Sequence, residues 1–258
     1  MIPNALDALT VFPWPGPPSH IRTGVLLLRT ATPVGASRVH ARDHIRQALT
    51  ETLALTLNVP QSAIVVMSTP GQRPHIVISG IGEVGLSISH ESTLSLAAVN
   101  LHGRVGVDVM QVQQTPDWQA VALDYLGPVV AAQLMDIEPV QREKAFAQAW
   151  CAHEARLKCR GRALDEWSQE KQLSCRTSEL ALPEGFVGAL ALCSTKAPLA
   201  KQRSGFSAGA ITSSIARLSS SSAPSTAPVA DLPDLNPSKS PFPDICSWLR
   251  PDCESCRL

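Results

Sequence analysis

A chain of 258 residues, 44% hydrophobic and 17% charged, has enough apolar side chain to bury one large core or two small ones. Lysine plus arginine and aspartate plus glutamate number 22 each. No overall basic field therefore draws the chain to nucleic acid or to an anionic membrane, and a phosphate ligand has to be held by a local site.

The residues before Ile21 are rich in proline, with Pro13, Pro15, Pro17 and Pro18 close together. Residues 1–19 are expected to form an extended lead-in that packs loosely, with structure starting near Ile21. They lack the basic start and long apolar stretch of a signal peptide, and the apolar run Val25-Leu26-Leu27-Leu28 is too short to cross a bilayer. A cytoplasmic protein is expected. Seven cysteines is an odd number, and Cys151, Cys159, Cys175 and Cys193 show no framework spacing, so reduced thiols acting as small hydrophobes are expected.

Residues Gly24 to Leu28 read as a buried strand, and Ser37 to Leu57 as a helix of about five turns with Ile45, Leu49, Leu53 and Leu57 four apart. Short strand candidates follow at Ala63–Met67, His75–Ile78, Leu86–Ser89, Leu94–Val99 and Val105–Val109, separated by turn residues such as Pro70-Gly71 and Leu101-His102-Gly103. A run of strands after a helix indicates α+β rather than a Rossmann alternation. Helical patterns occupy Trp118–Tyr125, Pro128–Met135 and Val140–Cys159, and a last strand spans Phe186–Leu192. Beyond Cys193 the composition shifts to serine, proline and alanine, including Ser219-Ser220-Ser221-Ser222, and residues 196–258 are expected to be a disordered tail. Its Cys253-Glu254-Ser255-Cys256, with Cys246 and no histidine, offers too few ligands for a zinc knuckle.

Three segments carry candidate chemistry. In Val105-Gly106-Val107-Asp108-Val109-Met110 the valines share one face, while Gly106, Asp108 and Met110 share the other. A half-buried strand can equally show such an aspartate to water. On the helix from Ala145 to Lys158, Phe146, Trp150 and Leu157 form an apolar stripe, with Glu154 and Lys158 along its border. The plainer reading is an i,i+4 surface pair. In Gly85-Leu86-Ser87-Ile88-Ser89-His90-Glu91, alternation sends His90 and the two serines to opposite faces, and a histidine at a strand end can bind phosphate or serve structure alone.

Taken together and in order, Gly71-Gln72-Arg73-Pro74, Ser87-Ile88-Ser89-His90, Gly106-Val107-Asp108-Val109 and the segment from Trp150 to Lys158 resemble the 4'-phosphopantetheinyl transferase superfamily, in its surfactin-synthetase-activating type. The resemblance covers about residues 20 to 195. It implies a pseudo-twofold pair of α+β subdomains, each a small antiparallel sheet packed on helices, here 20–112 and 113–195, with coenzyme A between them. It also implies transfer of the phosphopantetheine arm to a serine of an apo acyl or peptidyl carrier protein, with Mg2+, as in a holo-acyl-carrier-protein synthase. By matching position Asp108 and Glu154 are the implied metal ligands, Glu154 also the base, and Lys158 the partner of the transferred phosphate. His90, Ser89, Arg73 and, more loosely, Arg46 are the implied contacts to coenzyme A.

The residue types suit such chemistry, because cleaving a pyrophosphate link needs positioning and cations more than covalent catalysis. Mg2+ takes one or two carboxylates and completes its shell with water and phosphate. Two positions depart from the pattern: Met110 stands where many relatives carry a second acid, and His153 where lysine is frequent. A thioether is a poor Mg2+ ligand. A degenerate relative that binds coenzyme A or a carrier protein without transfer, and an unrelated Mg2+-dependent phosphohydrolase, are the alternatives. Neither nucleic acid nor membrane is an expected partner, and two halves in one chain make a monomer sufficient.

Overall fold

A computed structural model describes residues 9–16, 24–67, 73–168 and 175–193. In chain order the strands are β1 (Leu9–Thr10), β2 (Phe12–Trp14), β3 (Val25–Ala31), β4 (Ile64–Met67), β5 (His75–Ile78), β6 (Gly82–Glu91), β7 (Leu94–Asn100), β8 (Val105–Gln111), β9 (Arg176–Ala181) and β10 (Phe186–Leu192). The helices are α1 (Arg38–Leu57), α2 (Trp118–Val121), α3 (Pro128–Met135) and α4 (Pro139–Arg160). A six-stranded sheet runs β2-β3-β7-β6-β5-β4 and a four-stranded one β1-β9-β10-β8. The α+β class read from the sequence holds, with both sheets packed against helices.

Helix α1 begins at Ser37, whose hydroxyl accepts the His40 N–H and so satisfies one of the orphan donors of the first turn. It ends at Asn58, which takes the left-handed conformation that an asparagine tolerates. Its buried residues Ala41, Ile45, Ala48, Leu49, Thr52 and Leu53 recur at helical spacing and lie over the six-stranded sheet. Strand alternation then divides the sheet. Leu26, Leu28, Ala97 and Val99 turn towards α1, whereas Leu27, Leu94, Leu96 and Ala98 turn to the opposite face.

That opposite face meets the four-stranded sheet. Leu27, Leu94, Leu96 and Ala98 join Val105, Val107 and Val109 of β8, Leu190 of β10 and Leu180 of β9 in one buried cluster. Strand β8 therefore shows its valines to the first sheet and Gly106, Asp108 and Met110 to α4. Met110 is 2% exposed and packs with Val121, Ala122, Phe146 and Trp150 in a third cluster under α2, α3 and α4. The layers are α1, six-stranded sheet, four-stranded sheet and the later helices.

Two expectations are corrected, and one strand is added. The lead-in is not loose where it is described: Leu9 and Thr10 pair in parallel with Leu180 and Ala181, Phe12 to Trp14 pair in parallel with Leu28 to Thr30, and Val11 is buried. Pro13 fits because β2 is a short edge strand, where a missing N–H is tolerated. The thiols are not all free, since Cys175 and Cys193 form a disulfide, while Cys151 and Cys159 are free and buried. The register pairs Arg176 with Leu192, so the residues just outside that pair are brought side by side, a proximity that linear spacing cannot reveal. Strand β9 lacked an apolar alternation strong enough to find, having one buried residue, Leu180. The tail and the Gly71-Gln72 half of the first motif lie outside the described residues.

Gly106 is the point on which α4 rests. A Cβ there would collide with the backbone of Ala155 and Cys159. A strand glycine far from such a contact gains stability from alanine. Gly106→Ala is instead expected to cost about 3 kcal/mol, the upper range for forcing a methyl into a packed interface. Urea unfolding checks this, and an unchanged midpoint would mean that helix and strand are not pressed together there.

Candidate functional site

Because β8 turns Asp108 towards α4 while Gly106 lets the helix close in, the carboxylate is enclosed, with 0% exposure. Its Oδ1 accepts from Lys158 Nζ at 2.7 Å and from Ser89 Oγ at 2.8 Å. Lys158 Nζ also donates to Ser89 Oγ at 3.1 Å, which closes a triangle of two strands and one helix. A carboxylate removed from water without a partner costs several kcal/mol, so the ion pair and hydroxyl are what make this position tenable. The exposed-aspartate reading of β8 is thereby excluded.

Ser87, the next β6 residue on the same face as Ser89, accepts the Val107 N–H at 3.0 Å. The two serines thus tie β6 to β8 and fix the depth at which Asp108 sits. Glu154, one turn before Lys158 on α4, is 7% exposed and beside the Ala155 contact with Gly106, so it is no surface carboxylate either. The i,i+4 pair imagined on an open helix face is instead a buried acid followed by a lysine that crosses to another strand.

His90 is the next-to-last residue of the same strand. Its Nδ1 lies 2.8 Å from Ser95 Oγ across the β6–β7 pairing. Burial pushes its pKa down to about 4, helped by the positive charges of Lys158, Arg42, Arg38 and Arg46. These three arginines sit at i, i+4 and i+8 on α1 and form one stripe facing the histidine. Arg46 was expected from the sequence; Arg38 and Arg42 were missed, although their spacing with Arg46 was the available signal. Arg46 also pairs with Asp43 at 3.3 Å on the exposed side of the helix.

Arg73 is placed differently from the rest. Its guanidinium donates to the carbonyls of Val105, at 2.7 Å, and Cys159, at 3.4 Å, and so buckles the start of β8 to the end of α4. His153 does not reach this cluster of contacts; it lines a separate cavity of about 300 Å³ with Arg156, Arg162 and Trp167. Burial, then Arg156 and Arg162, lower its pKa to about 4, which leaves it neutral near pH 7. A second cavity, about 330 Å³, lies between Gln114, Pro116, Trp118, Arg142 and Phe146. Asp108 and Lys158 line neither. The convergence of charged groups from three elements marks the candidate site better than either hollow, because a polyanion is held by directed cations rather than by apolar enclosure.

Comparison with known proteins covers part of this cluster. Residues 104–203, from the start of β8 through α4 and β10, match the family model of the 4'-phosphopantetheinyl transferase superfamily. Over 120 residues the chain is 27% identical to a protein of Synechocystis sp. named as a 4'-phosphopantetheinyl transferase, a match covering 46% of this chain and 49% of that protein. Over 75 residues it is 31% identical to the 4'-phosphopantetheinyl transferase HetI of Nostoc sp., covering 29% of this chain and 32% of HetI. The chain thus spans about half the length of one curated relative and about a third of the other. Among the described residues no helix is long and apolar enough to cross a membrane.

The two lowered histidines set a pH dependence. Unfolded, each binds a proton near pH 6.5; folded, each waits until about pH 4. The unfolded state therefore holds more protons between those values, and stability falls as pH drops through that window and is unaffected above it. Each histidine is expected to contribute a loss on the order of 2–3 kcal/mol. Chemical denaturation at pH 7 and at pH 4.5 measures the difference, and His90→Gln should shrink it; equal stability at both values would show these imidazoles to be open to protons in the fold.

Proposed function

We propose that the chain is a 4'-phosphopantetheinyl transferase that moves the phosphopantetheine arm of coenzyme A onto a serine of an apo acyl or peptidyl carrier protein and releases adenosine 3',5'-bisphosphate. The observation that carries this reading is the convergence of Asp108, Lys158 and Ser89, with His90 and the α1 arginines beside them; of these, Asp108 and Lys158 fall within the residues that match the superfamily model. The surfactin-synthetase-activating, holo-acyl-carrier-protein synthase type is the version we infer, on the order and spacing of its motifs.

The donor set suits a hard cation. Asp108 and Glu154 are buried carboxylates, and Met110 is turned into the apolar cluster, where it neither supplies nor blocks a ligand. Asp108 and Glu154 would hold Mg2+, which supplies charge neutralisation at the phosphoryl oxygens. The remaining work falls to side chains of this chain. His90, Arg38, Arg42 and Arg46 bind the phosphate and adenine end of coenzyme A, charge meeting charge. Arg73 takes part there through the β8–α4 junction that it holds, and Ser89 orients the site by fixing Asp108 and Lys158. Lys158 compensates charge on the transferred phosphate. Glu154 accepts the proton of the carrier serine as its oxygen bonds to phosphorus and the bond to the leaving bisphosphate breaks. A monomer acting in the cytoplasm on a protein substrate fits this scheme.

Intact-mass spectrometry of an apo carrier protein incubated with the full chain, coenzyme A and Mg2+ is the direct test. A metal-dependent gain of about 340 Da, one phosphopantetheine arm, is expected. Binding of coenzyme A without any gain across acyl and peptidyl carriers would replace the enzyme by a binding protein. Glu154→Gln is expected to slow transfer about a thousandfold with folding intact, since it keeps shape and removes the base. The double variant Arg38→Ala, Arg42→Ala should raise KM for coenzyme A and leave kcat nearly unchanged, because those arginines bind the substrate in ground and transition states alike. A fall in kcat at constant KM would move them to the reacting phosphate.

A further inference from the structure

Where α4 ends against the β9–β10 hairpin, three sulfurs meet. Cys159, buried on the last turn of α4, has its Sγ within 4.8 Å of those of Cys175 and Cys193, which flank the paired ends of β9 and β10. Two of them are joined as a disulfide and the third is a free thiol.

The surroundings are those of an anionic sulfur cluster. The Cys193 backbone N–H donates towards the Cys159 sulfur, and Arg73, Arg160 and Arg104 lie close enough to act on it electrostatically. Arg160 Nε donates to Cys175 Sγ at 3.4 Å. Burial alone keeps the Cys159 thiol protonated, its pKa raised despite those groups. A cation of high sulfur affinity reverses that balance, since it replaces the proton and removes the cost of a bare buried thiolate. N–H groups aimed at sulfur and guanidinium groups around it then compensate the net negative charge of a three-thiolate complex.

We propose that the reduced chain binds one thiophilic divalent cation, Zn2+ in its chemistry, through Cys159, Cys175 and Cys193, with water as the fourth ligand. A dithiol reductant first converts the Cys175–Cys193 disulfide into two thiols and is itself oxidised to a cyclic disulfide. Three thiols then give three protons to solvent as the cation takes three Sγ ligands. Tetrahedral bonds of about 2.3 Å place thiolate sulfurs about 3.8 Å apart, within the spread already seen among these three. The same three residues therefore form either a disulfide with a spare thiol or a metal clamp between α4 and the hairpin. Cys159 follows Lys158 directly, so the clamp fixes the turn of α4 that carries that lysine. None of the three ligands has a role in the proposed transfer, and the site stands whether or not the chain is a transferase.

Cobalt is the probe, because its thiolate complexes absorb where zinc is silent. The full chain is reduced with a dithiol, desalted under nitrogen and titrated with Co2+. One equivalent should produce a thiolate-to-cobalt charge-transfer band that Zn2+ then abolishes. The triple variant Cys246→Ser, Cys253→Ser, Cys256→Ser should keep the band. In that background Cys159→Ser, and separately Cys175→Ser, should weaken binding by more than about a hundredfold, beyond the loss of an outer-shell contact. Circular dichroism checks that each variant is folded, and the partly exposed Cys175 position provides the test if the buried Cys159 variant does not fold. Absence of a band in the reduced chain overturns the proposal, as does a band that survives both single substitutions in folded protein or disappears with the tail cysteines.

Discussion

A carboxylate with no exposure needs a cation close by, and in this fold that requirement links the two sheets to the long helix. Asp108 lies on β8, Lys158 on α4 and Ser89 on β6, and each alone would be a poor choice for a buried position. Removing one partner leaves an uncompensated charge in the interior, which costs more than the pair contributes when intact. The arrangement is therefore specific rather than merely stabilising. Any packing that slid α4 along β8 by one turn would strand the aspartate.

The close approach of that helix has its own cause. Gly106 removes the Cβ that would hold α4 away, and Arg73 closes the same junction by reaching two carbonyls, one on each element. Helix, strand and guanidinium together set the distance from which Lys158 reaches Asp108. Ser87 contributes from the other side by accepting the Val107 N–H, so the register of β8 is fixed between β6 and β10. The geometry of the charged cluster is thus a consequence of contacts to backbone, made at Gly106, Ser87 and Arg73.

Much of this was legible beforehand. The face assignment of β8 follows from strict alternation, and the placement of Glu154 and Lys158 at the border of an apolar stripe follows from the helical period; both hold. Strands that are short continuous apolar runs, such as β5 and β10, and helices with clear stop signals, such as α3, were found within a residue. What the sequence hid is long-range. The parallel edge strands β1 and β2 form only because partners are supplied from β9 and β3, the disulfide only because a hairpin aligns its flanks, and the grip of Arg73 on two backbone carbonyls only because β8 and α4 meet beside it. Arg38 and Arg42 share the spacing of Arg46 on α1 and were legible as a basic stripe; what the fold adds is that the stripe lies near His90.

That stripe gives the site its sign. His90 is neutral near pH 7 first because it is buried, and the field of Lys158 and three arginines adds to that. A protein at zero net charge has gathered four cations around one imidazole, and gathering like charges is unfavourable unless something offsets it. Asp108 offsets part of it through Lys158, and Asp43 part through Arg46. A multiply charged phosphate ligand would offset more, and would draw the His90 pKa upward as it did so, so that binding and protonation would favour one another. An anion entering the site would in this way make it more cationic, through the side chains that surround His90 rather than through any single residue.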